Sequence, residues 1–320
     1  MKLQTEIPLN PEESQIDYSS KILLLGSCFS ENIGSKFDYF KFQNSQNPFG
    51  VIFNPVSIEK LIYRAIENET FSEEDIFQHH GIWKCFETHS ELSSLDKAEF
   101  LKKLNSALLH LREALFSSTH IIFTFGTSWV YRHIESDEIV ANCHKLPQRN
   151  FTKELLSIET ISKSIQNTIE KISTVNPNVS IITTVSPVRH IKDGFAENSL
   201  SKAHLLAAIH QLLNQQSKIV NQKYSYFPSF EIMMDELRDY RFYTEDMLHP
   251  NKTAIEIIWQ KFSKVWISSN TESLQKEIAS IQNGLNHKPF SPESGEHLQF
   301  LSKLQQKIAS LQQEYPHILF

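Results

Sequence analysis

A serine and a cysteine follow directly on the first buried strand that the sequence predicts. The stretch Lys21–Gly26 reads KILLLG, and Ser27 and Cys28 come immediately after it. A continuous apolar run of this kind is typical of a strand buried on both faces of a parallel sheet. Ligands of such sheets bind beyond the carboxyl ends of the strands. The position therefore suits a nucleophile, although glycine and serine also end strands for purely structural reasons.

An aspartate and a histidine three residues apart, Asp246 and His249, offer the groups that would activate a serine. A histidine removes the proton of the hydroxyl, and a carboxylate holds that histidine in the required tautomer. Pro250 disfavours helical backbone at His249, so we expect the imidazole on a loop. Ser27, Asp246 and His249 could thus form a triad in this chain order, although an Asp before a helix is often only a cap.

Thiols are the competing nucleophiles, because a thiol is intrinsically more nucleophilic than a hydroxyl at neutral pH. Adjacent side chains point in different directions, so only one of Ser27 and Cys28 can face His249. We expect Cys28 to pack under the first helix. Cys143 and His144 are likewise adjacent, whereas a catalytic pair usually converges from distant positions. A cysteine hydrolase is therefore the weaker hypothesis.

Two further predicted strands also end on small or polar residues. One is 120–126, which is followed by Ser128 and Trp129, and the other is 179–185, which leads to Arg189 and His190. The last two side chains could bind an acidic or acyl group of a substrate, or they could belong to a solvated loop. Ser128, Trp129 and His144 are candidate pocket residues, with core packing as the alternative for the tryptophan.

No metal or cofactor site is predicted. His79, His80 and His89 could gather a metal ion, but no carboxylate lies at ligand spacing from them. The chain contains no G-x-S-x-G, G-x-G-x-x-G, phosphate-loop or H-E-x-x-H motif, so an ordinary α/β-hydrolase, a dinucleotide enzyme and a zinc protease lose support.

Helical spacing of apolar residues separates the predicted strands. Helices are expected directly after Ser27 and over 58–67, 98–117, 156–173, 201–221 and 253–268. A fourth strand is expected at 224–230. The stretch 47–55 could be another strand or an ordered loop. Strands that alternate with helices pair in parallel through right-handed crossovers. We therefore expect one three-layer α/β/α sandwich within residues 1–268, of which the first 20 form a loop or arm.

The composition changes after this domain. SSNTES (268–273) reads as a linker, and two helices are expected at 272–285 and 293–313, the second with an apolar stripe formed by Leu298, Leu301, Leu304, Ile308 and Leu311. A stripe of this kind must be covered. We expect residues 269–320 to form a helical hairpin that packs on the main domain or makes a homo-oligomer with a second subunit.

The overall composition limits the class of protein. The 320 residues carry a formal net charge of −6, which argues against a nucleic-acid partner. No apolar run approaches the length of a membrane span, and the N-terminal residues lack the apolar core of a signal peptide. Three widely spaced cysteines fit a reducing compartment. We expect a cytoplasmic protein with no membrane partner.

Several stretches resemble the GSCFA family, which belongs to the wider SGNH, or GDSL-like, hydrolases. Residues 26–30 (GSCFS) differ from the family signature only in Ser30, and the resemblance extends to NPFGVIFNP, GTSWVY, VANCHKLP, TVSPVRHIKDG and RDYRFYTEDMLHP between residues 47 and 250. The resemblance covers about residues 20–268. It implies a flavodoxin-like sandwich with a five-stranded parallel sheet, and it implies ester hydrolysis.

The resemblance also implies roles for individual residues. Ser27 matches the nucleophile of the first block, Asp246 and His249 match the last block, D-x-x-H, and Gly50 matches the glycine whose N–H binds the oxyanion. The third block, G-x-N, supplies an asparagine to the oxyanion. This chain has Ser128 there instead, so it departs from the family pattern at that donor.

A predicted hairpin offers a replacement donor. Residues 129–133 and 138–142 alternate like strands around Ser136 and Asp137, so the chain would return to the end of the third strand. Asn142 would then lie where the missing asparagine belongs, although it could equally serve the turn.

The sequence as a whole therefore predicts a serine esterase or acyl hydrolase of EC class 3.1 that forms an acyl-enzyme. Its substrate would be a small-molecule or carbohydrate ester, by analogy with the group. The competing hypothesis is a non-catalytic binding or assembly protein that uses the C-terminal helices as its interface.

Overall fold

The computed structural model of the chain describes residues 5–215 and 223–320. In chain order its elements are β1 Lys21–Gly26, α1 Cys28–Tyr39, β2 Gln43–Gln46, α2 Pro55–Glu67, β3 Phe77–His79, β4 Ile82–Lys84, α3 Lys97–Ser117, β5 His120–Phe125, β6 Trp129–His133, β7 Glu138–Val140, β8 Phe151–Leu155, α4 Ile158–Ser173, β9 Ser180–Val185, α5 Phe195–Leu213, β10 Lys223–Tyr226, α6 Ser229–Glu231, α7 Lys252–Trp266, α8 Glu272–Leu285 and α9 Gly295–Glu314. A single π turn, Ile232–Glu236, follows α6.

Five parallel strands form the central sheet in the order β10-β9-β5-β1-β2. Relative to the chain this is the doubly wound order of flavodoxin-like folds, in which the direction of winding reverses between β1 and β5. The predicted α/β sandwich with five parallel strands is confirmed. The carboxyl ends of β1 and β5 mark the point where such sheets bind ligands.

The sheet is buried on both faces because its central strands supply apolar side chains to each side in turn. In β1, Leu23 and Leu25 pack in one core with α2, α3, α4 and α5, whereas Ile22 and Leu24 pack in the other core with α1 and α7. Successive side chains of a strand point to opposite faces, so a continuous apolar run is needed here. Each such side chain contributes about 1.5–3 kcal/mol by its burial.

The edge strand β2 was not predicted. It reads QNSQ, its side chains are half-buried, and it pairs with β1 through the register Lys21↔Gln43. An edge strand is held by backbone hydrogen bonds on one side and has no need of an apolar pattern. The apolar stretch 47–55, left open between strand and loop, is a loop that leads into the Asn54 cap of α2.

A small antiparallel sheet lies beyond β5 and contains the predicted hairpin. β6 pairs with β7 with His133 opposite Glu138, and β8, which was not predicted, pairs with the other side of β6. The strand expected at 224–230 ends at Tyr226. The helix expected at 201–221 begins earlier, at Phe195, and ends at Leu213; residues 216–221 of that prediction lie outside the described residues.

The C-terminal helices pack on the main body of the molecule. Ile278 and Ile281 of α8 are fully buried in the same core as Phe37 of α1 and Trp259 of α7. On α9, Leu304, Ile308 and Leu311 are buried, whereas Leu298 and Leu301 at its start are exposed. No helix of residues 5–215 and 223–320 is long and apolar enough to cross a membrane. The division into units 1–268 and 269–320 stays a prediction.

Candidate functional site

The turn between β1 and α1 holds Ser27 at the carboxyl edge of the sheet. Gly26 has φ +140°, and a Cβ there would lie 2.2 Å from the Thr124 carbonyl oxygen, so only glycine fits. Ser27 has extended backbone, and its Oγ accepts a hydrogen bond from the Phe29 N–H at 3.3 Å. Its own N–H donates to the Thr124 carbonyl at 2.9 Å. The side chain of Ser27 is therefore both a helix cap and buried, with 1% of its surface exposed.

Asp246 and His249 form a hydrogen-bonded pair within one turn before α7. The His249 Nδ1 lies 2.6 Å from Asp246 Oδ2. Asp246 Oδ1 accepts bonds from the Thr244 hydroxyl and from the N–H groups of Leu248 and His249. The Thr244 bond and then the two N–H bonds hold the pKa of the Asp246 carboxyl well below its usual range. The carboxylate orients the ring and leaves Nε2 free for chemistry.

A cavity of about 600 Å³ lies beside this pair at the sheet's carboxyl edge. Its wall includes Phe53, Trp129, Asn142, Arg189, His190 and His249. Ser27 lies next to this wall: a Cβ on Gly126 would be 3.5 Å from the Ser27 Cβ and 3.3 Å from His190 Nε2. In the part of the chain that the structure describes, the Ser27 hydroxyl bonds to Phe29 and not to His249.

Hydrogen bonds join the loops that carry these histidines. The Arg189 N–H donates to the Leu248 carbonyl at 3.2 Å, and the His190 N–H donates to Asn198 Oδ1 at 2.9 Å. The Arg189 guanidinium lies over the Tyr243 ring, 4.6 Å from its centroid. Arg189, His190 and His249 therefore share one ordered wall of the cavity.

The expected oxyanion donor Gly50 does not fit this arrangement. Its N–H donates to the Asn47 carbonyl at 2.7 Å within a tight turn, so that donor is already used. Asn142 does line the cavity. Its Oδ1 accepts the His144 N–H at 2.8 Å, which makes it a turn residue as well. A donor role for its amide stays a proposal.

Two of the candidate pocket residues, Ser128 and His144, do not line the cavity. Ser128 is fully buried and its hydroxyl donates to the Ser201 carbonyl at 2.9 Å, so it docks the start of α5 on the strand end. His144 is also buried, and its Nε2 lies 2.6 Å from the Cys85 carbonyl. Burial lowers the pKa of His144 to about 4. Both corrections reflect packing partners that are distant in the sequence.

Trp129 serves both as a pocket wall and as a packing residue, the two interpretations that the sequence left open. Its ring lines the cavity and is half-buried, while its Nε1–H donates to the Glu197 carbonyl at 3.2 Å. The Lys153 ammonium lies 4.7 Å from the ring centroid. The ring is thereby fixed as a wall of the cavity.

The thiols are poorly suited to attack. Burial, with Glu31 nearby, raises the pKa of Cys28, and burial raises that of Cys143 to about 11. A protonated thiol is a weak nucleophile. The ring of His144 bonds away from its neighbour Cys143, toward Cys85. Among the described residues, no three His, Cys, Asp or Glu side chains gather as a metal site would require.

Lys202, which the sequence did not single out, is fully buried behind the site. Its Nζ donates to the Gly126 carbonyl at 2.6 Å and to the Ser186 carbonyl at 2.7 Å. These carbonyls follow the ends of β5 and β9. Burial lowers the pKa of Lys202 to about 7. A signal was present, because Lys202 shares helical spacing with the buried Leu205 and Ile209 of α5.

The chain is weakly similar to two solved structures, a carbohydrate esterase family 3 protein and an acetyl xylan esterase. A carbohydrate esterase family 3 protein from Talaromyces cellulolyticus is 9% identical with a TM-score of 0.37, covering 81% of this chain and 99% of that one. An acetyl xylan esterase from the rumen bacterium Butyrivibrio proteoclasticus is 11% identical with a TM-score of 0.32, covering 84% and 65%. A comparison with curated proteins finds no match.

The family comparison agrees with the motifs. The model described as "GSCFA family" matches residues 21–262, which hold the whole central sheet and α7 up to Phe262. The model described as "GSCFA domain protein, C-terminal domain" matches residues 278–320, most of α8 and all of α9. The first match alone spans well over half of the chain, and this protein belongs to the GSCFA family.

Proposed function

We propose that the protein is a serine ester hydrolase of the SGNH type. Ser27 is the nucleophile, His249 the general base and Asp246 the group that orients it. The observation that carries this proposal is the Asp246–His249 pair, bonded at 2.6 Å, with His249 in the wall of a cavity next to a strand-end serine. Histidine held by a carboxylate beside a hydroxyl nucleophile is the arrangement that activates serine.

The reaction follows from these roles. Ser27 Oγ adds to the ester carbonyl carbon while its proton passes to His249 Nε2, and the carbonyl π pair moves to oxygen. The tetrahedral adduct collapses, the C–O bond to the alcohol breaks, and His249 returns the proton to the alcohol. Water then attacks the acyl-enzyme with the same base, releasing the acid and restoring Ser27.

Attack requires the Ser27 side chain to leave its capping bond. That bond is long, at 3.3 Å, so its loss costs little compared with a short hydrogen bond. Hydrogen bonds between a nucleophile and its base are often loose without substrate and tighten in the complex. The amide of Asn142, in the same cavity, is proposed as one donor to the oxyanion.

The proposed substrate class is an O-acyl ester on a carbohydrate. The cavity is within the range of small-molecule sites, roughly 300–1,000 Å³. Its aromatic wall, formed by Phe53, Trp129 and Tyr131, suits the apolar face of a sugar ring, and polar groups stand around it. A panel of acylated sugars and short acyl esters tests this choice, and turnover of simple esters with no acylated sugar accepted would contradict it.

A fluorophosphonate probe tests the catalytic proposal. The folded protein should be labelled, and Ser27→Ala and His249→Ala should lose the label. Ser30→Ala is the matched control, because that hydroxyl is buried in α1 and has no hydrogen-bond partner in the structure. The control should be labelled as the unaltered protein is. Labelling that survives in Ser27→Ala would refute the assignment of the nucleophile.

A non-catalytic binding protein on the same scaffold is the second candidate. It is favoured by the burial of Ser27 and by the use of its hydroxyl as a helix cap. In that case the cavity would bind a ligand without turnover, and a well-folded protein would take up no probe. Labelling dependent on Ser27 would rule it out.

A further inference from the structure

The proposed reaction needs hydrogen-bond donors for the oxyanion, and the structure leaves few of the expected ones free. The N–H of Ser27 donates to Thr124 and that of Gly50 donates to Asn47. Ser128, at the third-block position, is bonded to Ser201. Stabilising the developing oxyanion is usually the largest single contribution to such a reaction. Another group near Ser27 should supply it.

His190 has a ring nitrogen in that place with nothing bonded to it. Its Nε2 is buried and is without a hydrogen-bond partner in the structure. The same nitrogen would lie 3.3 Å from a Cβ on Gly126, a point that is 3.5 Å from the Ser27 Cβ. A buried polar atom that makes no hydrogen bond costs stability and calls for an explanation. A bound oxyanion would be its partner.

The ring of His190 is held in position before any substrate binds. The backbone N–H of His190 donates to Asn198 Oδ1, and its ring packs against Phe53 with centroids 5.8 Å apart. The backbone N–H of the preceding residue, Arg189, donates to the Leu248 carbonyl. Donors that need no rearrangement during the reaction are the effective ones. His190 also lies in the cavity wall, so a substrate carbonyl can approach it.

The protonation state of His190 suits a donor and not a base. Burial, then the basic groups Lys202, His249 and Lys192, lower the pKa of His190 to about 3. The ring is therefore neutral in ordinary buffers, and a neutral imidazole carries one N–H that can polarise a carbonyl oxygen. So weak a base would accept the proton of Ser27 poorly, which leaves that task to His249.

We propose that His190 donates an Nε2–H hydrogen bond to the oxyanion formed when Ser27 attacks the ester. The inference rests on the proposed function. His190 keeps its proton throughout: the proton of Ser27 still passes to His249 and then to the leaving alcohol. His190 replaces the donor that Ser128 does not provide.

The test compares four variants in steady-state hydrolysis of an activated acetyl ester. His190→Leu removes the donor, and kcat should fall about 10²–10³-fold with little change in KM. His190→Gln places an amide N–H near Nε2, whereas His190→Asn places it near Nδ1, so Gln should exceed Asn in kcat at least tenfold. His110→Leu is the matched control and should keep its full rate, because His110 lies on α3, outside the cavity, with its ring bonded to Ser45 of β2.

The pH profile separates His190 from the base. His190→Leu should keep the shape of the kcat/KM profile at a lower level, because the same base, His249, still accepts the proton of Ser27. The proposal would be overturned if the kcat of His190→Leu stayed within threefold of that of the unaltered protein. It would also be overturned if His190→Gln and His190→Asn were equally slow. An unaltered protein that neither turns over esters nor takes up the fluorophosphonate would instead refute the proposed function, which keeps the two failures distinct.

Discussion

Ser27 shows how much a single residue's chemistry depends on partners elsewhere in the chain. Its type and position, after an apolar strand, were readable from the sequence, and so was the spacing of Asp246 and His249. Their hydrogen bond at 2.6 Å is the contact on which the proposed base role of His249 rests. Gly50 could not be judged in the same way, because whether its N–H is free depends on the turn that it forms with Asn47.

Asn142 is a residue whose two roles can be separated by substitution. If its amide binds the oxyanion, Asn142→Ala should lower kcat about 10²–10³-fold. Asn142→Asp keeps the oxygen that accepts the His144 N–H, so the turn is retained while the amide donor is lost. Both variants should be slow in ester hydrolysis. Full activity in Asn142→Asp, with loss only in Asn142→Ala, would show that the residue serves the turn alone.

At the scale of the elements, the junction of β1 and α1 determines where the Ser27 side chain lies. The strand must stop where its backbone meets β5, and Gly26 permits that contact because it has no Cβ. The helix must begin at once, and Ser27 supplies its cap. The polar edge strand β2 was missed for a related reason: an edge strand is specified by backbone pairing, which leaves no apolar period to detect.

Gly26→Ala should therefore be strongly destabilising. The backbone at φ +140° costs about 1–3 kcal/mol for a residue with a side chain. The contact 2.2 Å from the Thr124 carbonyl oxygen adds to that cost. Gly81→Ala is the matched control, with φ +77° and nothing within 4 Å of its Cβ. Urea unfolding should show a larger loss at position 26, and equal losses would mean that the close contact is unimportant.

At the scale of the whole molecule, Lys202 ties helix α5 to the sheet behind the site. Its ammonium group bonds to carbonyls at the ends of two strands and lies in a fully buried position. A buried cation is costly, and the lowered pKa of Lys202, about 7, expresses that cost. The protein has an ionisable lysine at a buried position where an apolar side chain would fill the same space. Its position behind Gly126 suits a role in fixing the strand end beside Ser27.

The stability of the protein should consequently depend on pH through Lys202. Between about pH 7 and the ordinary lysine value near 10.4, the unfolded chain holds a proton that the folded chain has released. The free energy of unfolding should therefore rise with pH in this window. Relative to Lys202→Met, the unaltered protein should gain stability between pH 6 and pH 9 in urea unfolding. Parallel pH curves for the two proteins would show that the pKa of Lys202 is not lowered.

The sequence by itself determined the class of fold and the order of its main elements. Continuous apolar runs specify strands buried on both faces, and the helices between them specify parallel pairing. It also predicted Ser27, Asp246 and His249 as a catalytic set, because a nucleophile, a base and an orienting carboxylate have characteristic residue types. These properties depend on short stretches of sequence, so apolar periodicity and residue type are enough to predict them.

Only the tertiary structure decided which polar groups are already bonded and which remain free. Ser128 and His144 turned out to be packing residues, because Ser201 and Cys85 reach them from distant parts of the chain. His190 has a buried ring nitrogen without a partner, and Lys202 lies in the interior behind it. Hydrogen-bond partners form across long sequence separations, and one sequence contains no period or spacing that records them.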